Sequence, residues 1–272
     1  MAPLDQPSGT GELRDSVVAV FGAGSSGSAV SNGQAAAIAF ARAGAAVACI
    51  DVDGAAAEAV AQQIVDEGGS AMGVEADVTS EEDVIRAYAQ IAAEWEPPLH
   101  VHNNVGVAIG GSVVELDRAG WDRGLALNAT SCFLTIRHAL PHMLERGRGA
   151  IVNVSSIASI RDVGYVYPAY NASKAAVNQL TVSLALTYAD RGIRANAVLP
   201  GLIDTPIGRT APREAGVDVE AQLATRHAAS PTGRMGSPWD VANAALFLLS
   251  DRAAYVNGVC LPVDGGLTAR ST

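Results

Sequence analysis

The chain has 272 residues, of which 49% are hydrophobic and 17% charged, enough apolar material for one core of the size α/β domains commonly reach. A formal charge of -10 and a pI near 4.9 repel phosphate backbones and anionic headgroups, which argues against nucleic acid or a membrane surface as a partner. Residues 1–15, MAPLDQPSGTGELRD, contain neither a basic nor an apolar stretch, and no later apolar run reaches bilayer-spanning length, so a soluble cytoplasmic protein is expected. Cys49, Cys132 and Cys260 are odd in number and set among apolar residues, which implies buried thiols rather than a disulfide framework.

Residues 1–14 read as a flexible tail and 15–272 as one domain. SVVAVFG (16–22) is a short apolar run ending in glycine, as expected of a strand buried on both faces. A Gly/Ser-rich stretch follows, then QAAAIAFARAG (34–44), a good helix former that stops at Gly44. The unit repeats through AAVACID, a helix over 54–67, SAMGVEAD, a helix over 81–94 and LHVHNNVG. Helices near 117–147, the strand GAIVNVS (149–155), a helix from about 169 to 190, the strand GIRANAVLP, a helix over 238–250 and the strand NGVCLPVDGG complete the alternation. The pattern predicts an α/β fold with a doubly wound parallel sheet and right-handed crossovers. Residues 204–237, rich in proline, glycine and mixed charge, break the rhythm and are read as a lid.

Three local patterns carry chemistry, and each has an ordinary structural explanation when taken alone. Gly22, Gly24, Ser25, Ser26, Gly27 and Gly33 lie between the first strand and helix, where backbone N–H groups and a helix N-terminus can receive a pyrophosphate; the alternative is a flexible turn. Asp51 ends the next strand, followed by Val52, and can accept hydrogen bonds from ribose hydroxyls; the alternative is an exposed loop acid. A 2′-phosphate would meet repulsion there, and no Arg or Lys stands at Ser25, Ser26, Val52 or Asp53, so NAD is favoured over NADP. Tyr170 and Lys174 share a helix face at i,i+4, where an ammonium can stabilise a phenolate that otherwise forms only near pH ~10. Ser155 and Ser156 end a parallel strand at the edge where open α/β sheets bind ligands.

In this order and at this spacing the Gly-rich turn, Asp51, Asp77-Val78, Asn103-Asn104-Val105-Gly106, Asn128, Ser156, Tyr170-xxx-Lys174 and Pro200-Gly201 resemble the short-chain dehydrogenase/reductase family, over about residues 15 to 268. The resemblance implies a Rossmann-type sheet of about seven strands in the order 3-2-1-4-5-6-7, a nicotinamide cofactor and a homotetramer. It implies Tyr170 as general acid/base, Ser156 as the group bonding the substrate oxygen, Lys174 on the nicotinamide ribose, and Asn128 holding a water in a proton relay. By the same resemblance Asp77 and Val78 contact adenine, Asn103, Asn104 and Gly106 line the cofactor, and Pro200, Gly201, Ile203 and Thr205 lie against the carboxamide. Two departures stand out: Phe21 replaces a threonine before an elongated glycine turn, and Val105 replaces alanine.

A pocket built from Ile109, Gly110, Val163, Tyr165, Tyr167 and the lid, with His227 as a further contact, is mostly apolar. Hence the expected substrate is a hydrophobic or cyclic secondary alcohol or its ketone. His138 and His142 stand at i,i+4 without a recognisable carboxylate or cysteine partner, so no metal site is expected. The competing readings are an NADP-dependent carbonyl or 3-oxoacyl reductase, a sugar-nucleotide epimerase, which usually needs more chain after Pro200, and a non-catalytic nicotinamide-sensing protein.

Overall fold

The computed structural model describes residues 12–25, 29–206 and 219–270. Seven strands form one sheet: β1 (Val17–Phe21), β2 (Ala46–Asp51), β3 (Ser70–Glu75), β4 (His100–Asn103), β5 (Gly149–Val154), β6 (Ile193–Pro200) and β7 (Cys260–Val263). Their order is β3-β2-β1-β4-β5-β6-β7 and every pairing is parallel. The helices between them are α1 (Asn32–Arg42), α2 (Gly54–Asp66), α3 (Glu81–Glu94), α4 (Arg118–Leu125), α5 (Ser131–Arg146), α6 (Pro168–Tyr188), α7 (Val219–Ala229) and α8 (Pro238–Leu249).

The strands are apolar throughout because both faces are covered, and their two-residue period divides each strand between two cores. Val18, Val20, Val47 and Cys49 pack with α1 and α8 on one face. Ala19, Phe21, Ala48 and Ile50 pack with α3, α5 and α6 on the other. Helix starts follow ordinary capping chemistry: the side chains of Ser31, Asp53, Ser80, Asp117 and Ser237 each accept a backbone N–H of the first turn. Within the expected lid, residues 207–218 lie outside the described residues, while 219–229 form a helix rather than irregular chain.

Two histidines sit in β4, His102 fully buried and His100 partly buried. Neither ring nitrogen of His102 has a hydrogen-bond partner, and burial pushes its pKa down to about 3. Burial, aided by the charges of Arg194 and Arg148, pushes His100 down to about 4. Both remain neutral in the folded chain at pH values where the unfolded chain, with an ordinary imidazole near 6.5, binds protons. Stability is therefore unaffected by these groups above about pH 6.5 and falls below it, by ~1.4 kcal/mol per pH unit for each histidine, until the folded values are reached. His102→Phe should flatten the acid limb of urea-midpoint stability against pH by roughly one proton's slope. An unchanged slope would remove His102 from that role.

Candidate active site

Strand order reverses between β1 and β4, and the C-terminal edge at such a reversal leaves a crevice. A cleft of about 730 Å³ opens there. One end of it is framed by Asp51, Val52, Asp77, Val78 and Thr79, at the tips of β2 and β3. Asp51 is held by backbone donors: Oδ2 accepts the N–H of Gly24 at 2.9 Å and Oδ1 that of Asp53 at 3.2 Å. Asp77 Oδ1 accepts both the N–H and the hydroxyl of Thr79, at 2.8 and 2.7 Å.

Gly22 and Gly24 line the floor of the cleft. Gly33 lies beneath rather than in it: a Cβ there would overlap the carbonyl oxygen of Gly22, so glycine is what lets α1 approach the turn this closely. The start of α1 opens into the cleft at Ser31 and Asn32, two residues that the sequence reading did not single out. Ser31 Oγ caps the helix by accepting the Gln34 N–H at 3.0 Å and donates to the Gly24 carbonyl at 2.9 Å. Asn32 lines the cleft, and its Oδ1 is buried without a protein partner, an acceptor of the kind a ribose hydroxyl can satisfy. With the helix N-terminus and the Asp51 carboxylate, this donor and acceptor set fits a dinucleotide. The Ser25 hydroxyl donates to the Ala29 carbonyl at 2.9 Å and does not line the cleft, and Ser26 and Gly27 lie outside the described residues.

At the other end Ser156, Tyr170 and Lys174 converge with Pro200, Gly201, Ile203 and Thr205. The two serines after β5 are separated by their surroundings. Ser155 Oγ donates to the Lys174 carbonyl at 3.0 Å, tying the strand to α6, whereas Ser156 lines the cleft together with Tyr170. Burial raises the Tyr170 pKa, and the Ser156 side chain acts against the rise. Lys174 is buried, which lowers its pKa; Nζ donates to the Val154 carbonyl at 2.8 Å and lies 5.8 Å from the centre of the Tyr170 ring.

Asn128 sits behind this pair, in a single π-helical turn, Ala126–Thr130, between α4 and α5. Its amide pairs with the loop after β4 as a peptide would: Oδ1 accepts the Val107 N–H at 2.7 Å, and Nδ2 donates to the Val107 carbonyl at 2.9 Å and to Ser173 Oγ at 3.0 Å. Gly106, one residue earlier, is wedged against both groups; a Cβ there would stand 2.9 Å from Lys174 Nζ and 3.1 Å from Asn128 Oδ1. Gly106→Ala should therefore displace the lysine head or the loop and lower kcat by about 10–10²-fold, the scale of a misplacement of about an ångström. A variant with wild-type kcat would show that the wedge has room to relax.

Several expected residues lie elsewhere. Asn104 lines the cleft and donates to the Gly22 carbonyl at 2.9 Å, but its neighbour Asn103 points into the core. There it accepts from Thr135 Oγ1 and donates to Asn153 Oδ1, both at 2.8 Å. Of the substrate-side group only Ser156 lines the described cleft. Val163 packs on the small core of Ile157, Ala197 and Leu199, while Ile109 packs toward α4 near Gly120, and Gly110 is exposed. Tyr165 stacks on Tyr167 at 5.6 Å, and Tyr167 meets the Tyr170 ring edge-on at 5.2 Å; burial and the flanking tyrosines push the Tyr167 phenol up to about 12. His227 Nδ1 accepts the Met235 N–H at 2.9 Å, a structural bond. Against the sequence reading, His138 does have a carboxylate partner, Glu81 on α3 at 2.9 Å; among the described residues no group of three or more His, Cys, Asp or Glu could hold a metal ion. Two cations that the sequence reading did not single out, Arg123 and Arg226, also line the cleft.

A parallel sheet of this order, with a crevice at its strand-order reversal and Ser, Tyr and Lys together among the crevice walls, is the architecture on which nicotinamide-dependent oxidoreductases are built. A family model described as enoyl-(acyl carrier protein) reductase matches residues 27–268. Cis-4-hydroxycyclohexanecarboxylate dehydrogenase of Sinomonas cyclohexanicum is 43% identical over 89% of this chain and 94% of its own. A Xanthobacter autotrophicus protein named inactive 2-(S)-hydroxypropyl-CoM dehydrogenase 2 is 45% identical over 84% of this chain and 97% of its own. A solved crystal structure of a Burkholderia xenovorans chain assigned to the short-chain dehydrogenases/reductases superposes with a TM-score of 0.93 at 40% identity, covering 96% of this chain and 99% of that one. The chain belongs to the short-chain dehydrogenase/reductase family and is an NAD(P)-dependent oxidoreductase of its alcohol dehydrogenase/ketoreductase type.

Proposed function

We propose that the protein uses NAD to interconvert a secondary alcohol, hydrophobic or cyclic in its body, and the corresponding ketone. The observation that carries this reading is the convergence of Ser156, Tyr170 and buried Lys174 at one end of a cleft whose other end carries Asp51. When bound, the nicotinamide accepts the hydride of the carbinol carbon.

The chain's own groups handle the proton. Tyr170 takes it from the substrate hydroxyl during oxidation and returns it to the carbonyl oxygen during reduction. Ser156 donates a hydrogen bond to the same oxygen and fixes its position. The Lys174 ammonium favours the phenolate that burial alone would disfavour. Asn128 fixes the loop after β4 through Val107 and so holds the wall behind the lysine. Asp51 meets the ribose hydroxyls and rejects a 2′-phosphate.

Residues 204–237 act as the substrate lid of one catalytic domain, a role supported by Thr205, Pro206 and Arg226 bordering the cleft. One relative is named inactive; here the full Ser, Tyr and Lys set remains assembled, which supports turnover. The test is NADH or NADPH production from a panel of cyclic, aryl and small aliphatic secondary alcohols. Turnover of cyclic alcohols with NAD is expected. NADH binding without turnover of any alcohol would favour the non-catalytic sensing role, and turnover confined to small sugars would overturn the substrate class.

A further inference from the structure

Ser156 is oriented by the short turn that follows it, Ile157–Ser159. Its Oγ accepts the Ala158 N–H at 3.1 Å, which engages one lone pair and leaves the O–H to point into the cleft. Its carbonyl is gripped twice by Ser159, through the N–H at 3.1 Å and through the hydroxyl at 2.5 Å. Ser159 Oγ in turn accepts Asn178 Nδ2 at 2.7 Å. The direction of that last bond follows from the others: the single Ser159 proton is committed to the Ser156 carbonyl, so the amide must donate. Asn178 Oδ1 is left buried without a partner. Tyr170, Lys174 and Asn178 follow one another at successive turns along the same side of α6. Lys174 holds the chain just before Ser156, its Nζ on the Val154 carbonyl and its own carbonyl on Ser155 Oγ, and Asn178 holds the chain just after it. Neither Ser159 nor Asn178 lines the cleft.

We propose that Asn178, acting through Ser159, is a positioning residue that locks the Ser156 hydroxyl in register with Tyr170. The proposal rests on the alcohol/ketone reading of the site, in which both hydroxyls meet one substrate oxygen. Those hydroxyls belong to different elements: Tyr170 rides on α6, and Ser156 stands where the chain leaves β5. The bonds at Val154 and Ser155 fix where the strand ends but not the direction of the turn beyond it. The chain of bonds from Asn178 through Ser159 to the Ser156 carbonyl closes that turn against the same helix, so Ser156 is held on both flanks by the element that carries the acid/base. The substrate oxygen gains negative charge in the transition state, so a misdirected Ser156 hydroxyl costs more there than in the bound ground state. The loss therefore falls on kcat rather than on KM.

The test is a double-mutant cycle on NAD-dependent oxidation of the secondary alcohol that the protein turns over fastest. Ser159→Ala should lower kcat by about 10–10²-fold, the scale of a misplacement of about an ångström, while the KM for NAD and the affinity for NADH keep their wild-type values. Ser159→Thr, which restores a hydroxyl, should recover most of the rate. Asn178→Asp, whose carboxylate draws the Ser159 proton away from the Ser156 carbonyl, should lose rate as Ser159→Ala does. In a Ser156→Ala background, Ser159→Ala should cost nothing further, because no hydroxyl is left to misdirect; a general structural defect would multiply the two losses instead. Wild-type kcat in Ser159→Ala, multiplied losses in the double variant, or a rate in Ser159→Thr no better than in Ser159→Ala would each overturn the proposal. A loss in Ser156→Ala without one in Ser159→Ala sinks this proposal alone, whereas undiminished kcat in Ser156→Ala, or a wild type that oxidises no alcohol, takes the catalytic reading down with it.

Discussion

Tyr170→Phe is expected to bind NADH with wild-type affinity and to lose about 10²–10⁴-fold in turnover, the contribution of a positioned acid/base. The substitution removes one oxygen and leaves the ring in its edge-on contact with Tyr167, so the fold and the cleft wall are preserved. What disappears is the group that exchanges a proton with the substrate oxygen. Ser156 cannot take its place: its Oγ already accepts the Ala158 N–H at 3.1 Å, and a serine hydroxyl is far too weak an acid to cycle at neutral pH. Lys174 cannot reach the role by a small movement either, since its ammonium is anchored on the Val154 carbonyl. Steady-state rates with any accepted alcohol, together with NADH fluorescence titration, check both halves of the prediction. A near-normal rate would place the proton path elsewhere.

The second large effect concerns cofactor choice. Asp51→Asn removes the charge and keeps one of the two oxygens that accept the N–H groups of Gly24 and Asp53, the shorter bond to Gly24 being the one the remaining oxygen can retain. The carboxylate lines the cleft at the tip of β2, where the adenosine 2′ position lies in folds of this order, and a phosphate brought against it meets like-charge repulsion. The NAD/NADP ratio of kcat/KM should therefore move toward NADP by about 10–100-fold, equivalent to ~1.4–2.8 kcal/mol. An unchanged ratio would refute the role given to Asp51.

Much of the fold is legible because parallel strands covered on both faces must be continuously apolar, and the helices between them must begin and stop with particular residues. GAIVNVS becomes β5 and EEDVIRAYAQIAAE becomes α3, capped by Ser80, with little freedom for another outcome. The seven-strand order follows from the family resemblance and matches the observed sheet. Helix α7 is hidden in the sequence because its surroundings are rich in proline, glycine and charge, and its inward stripe holds only Leu223 as a large apolar residue. The π turn at Asn128 is invisible because its apolar spacing is that of an ordinary helix; only the bonds of the Asn128 amide to Val107 disclose why the register slips.

Side-chain direction at the strand tips is the other limit. Consecutive residues there point to opposite faces, so Asn103 and Asn104 read alike in the sequence while one joins a buried network and the other lines the cleft. The same applies to Ser155 and Ser156, which only their surroundings separate. Ser31, Asn32, Arg123 and Arg226 carry no motif and became visible only as cleft walls. The expected substrate pocket draws Val163, Tyr165 and Tyr167 from the segment before Tyr170 and Ile109, Gly110 and His227 from elsewhere in the chain, and sequence proximity does not show that these side chains pack on neighbouring elements.

The central claim is that a carbinol hydrogen leaves as hydride while Tyr170 takes the hydroxyl proton. It is tested most directly by supplying NAD and cyclohexanol deuterated at the carbinol carbon, then analysing the products by mass spectrometry. One deuterium per turnover should appear in NADH alongside cyclohexanone, and both products should nearly vanish in Tyr170→Phe. Ketone formed with unlabelled NADH, or labelled NADH formed at an undiminished rate by the phenylalanine variant, would contradict the account.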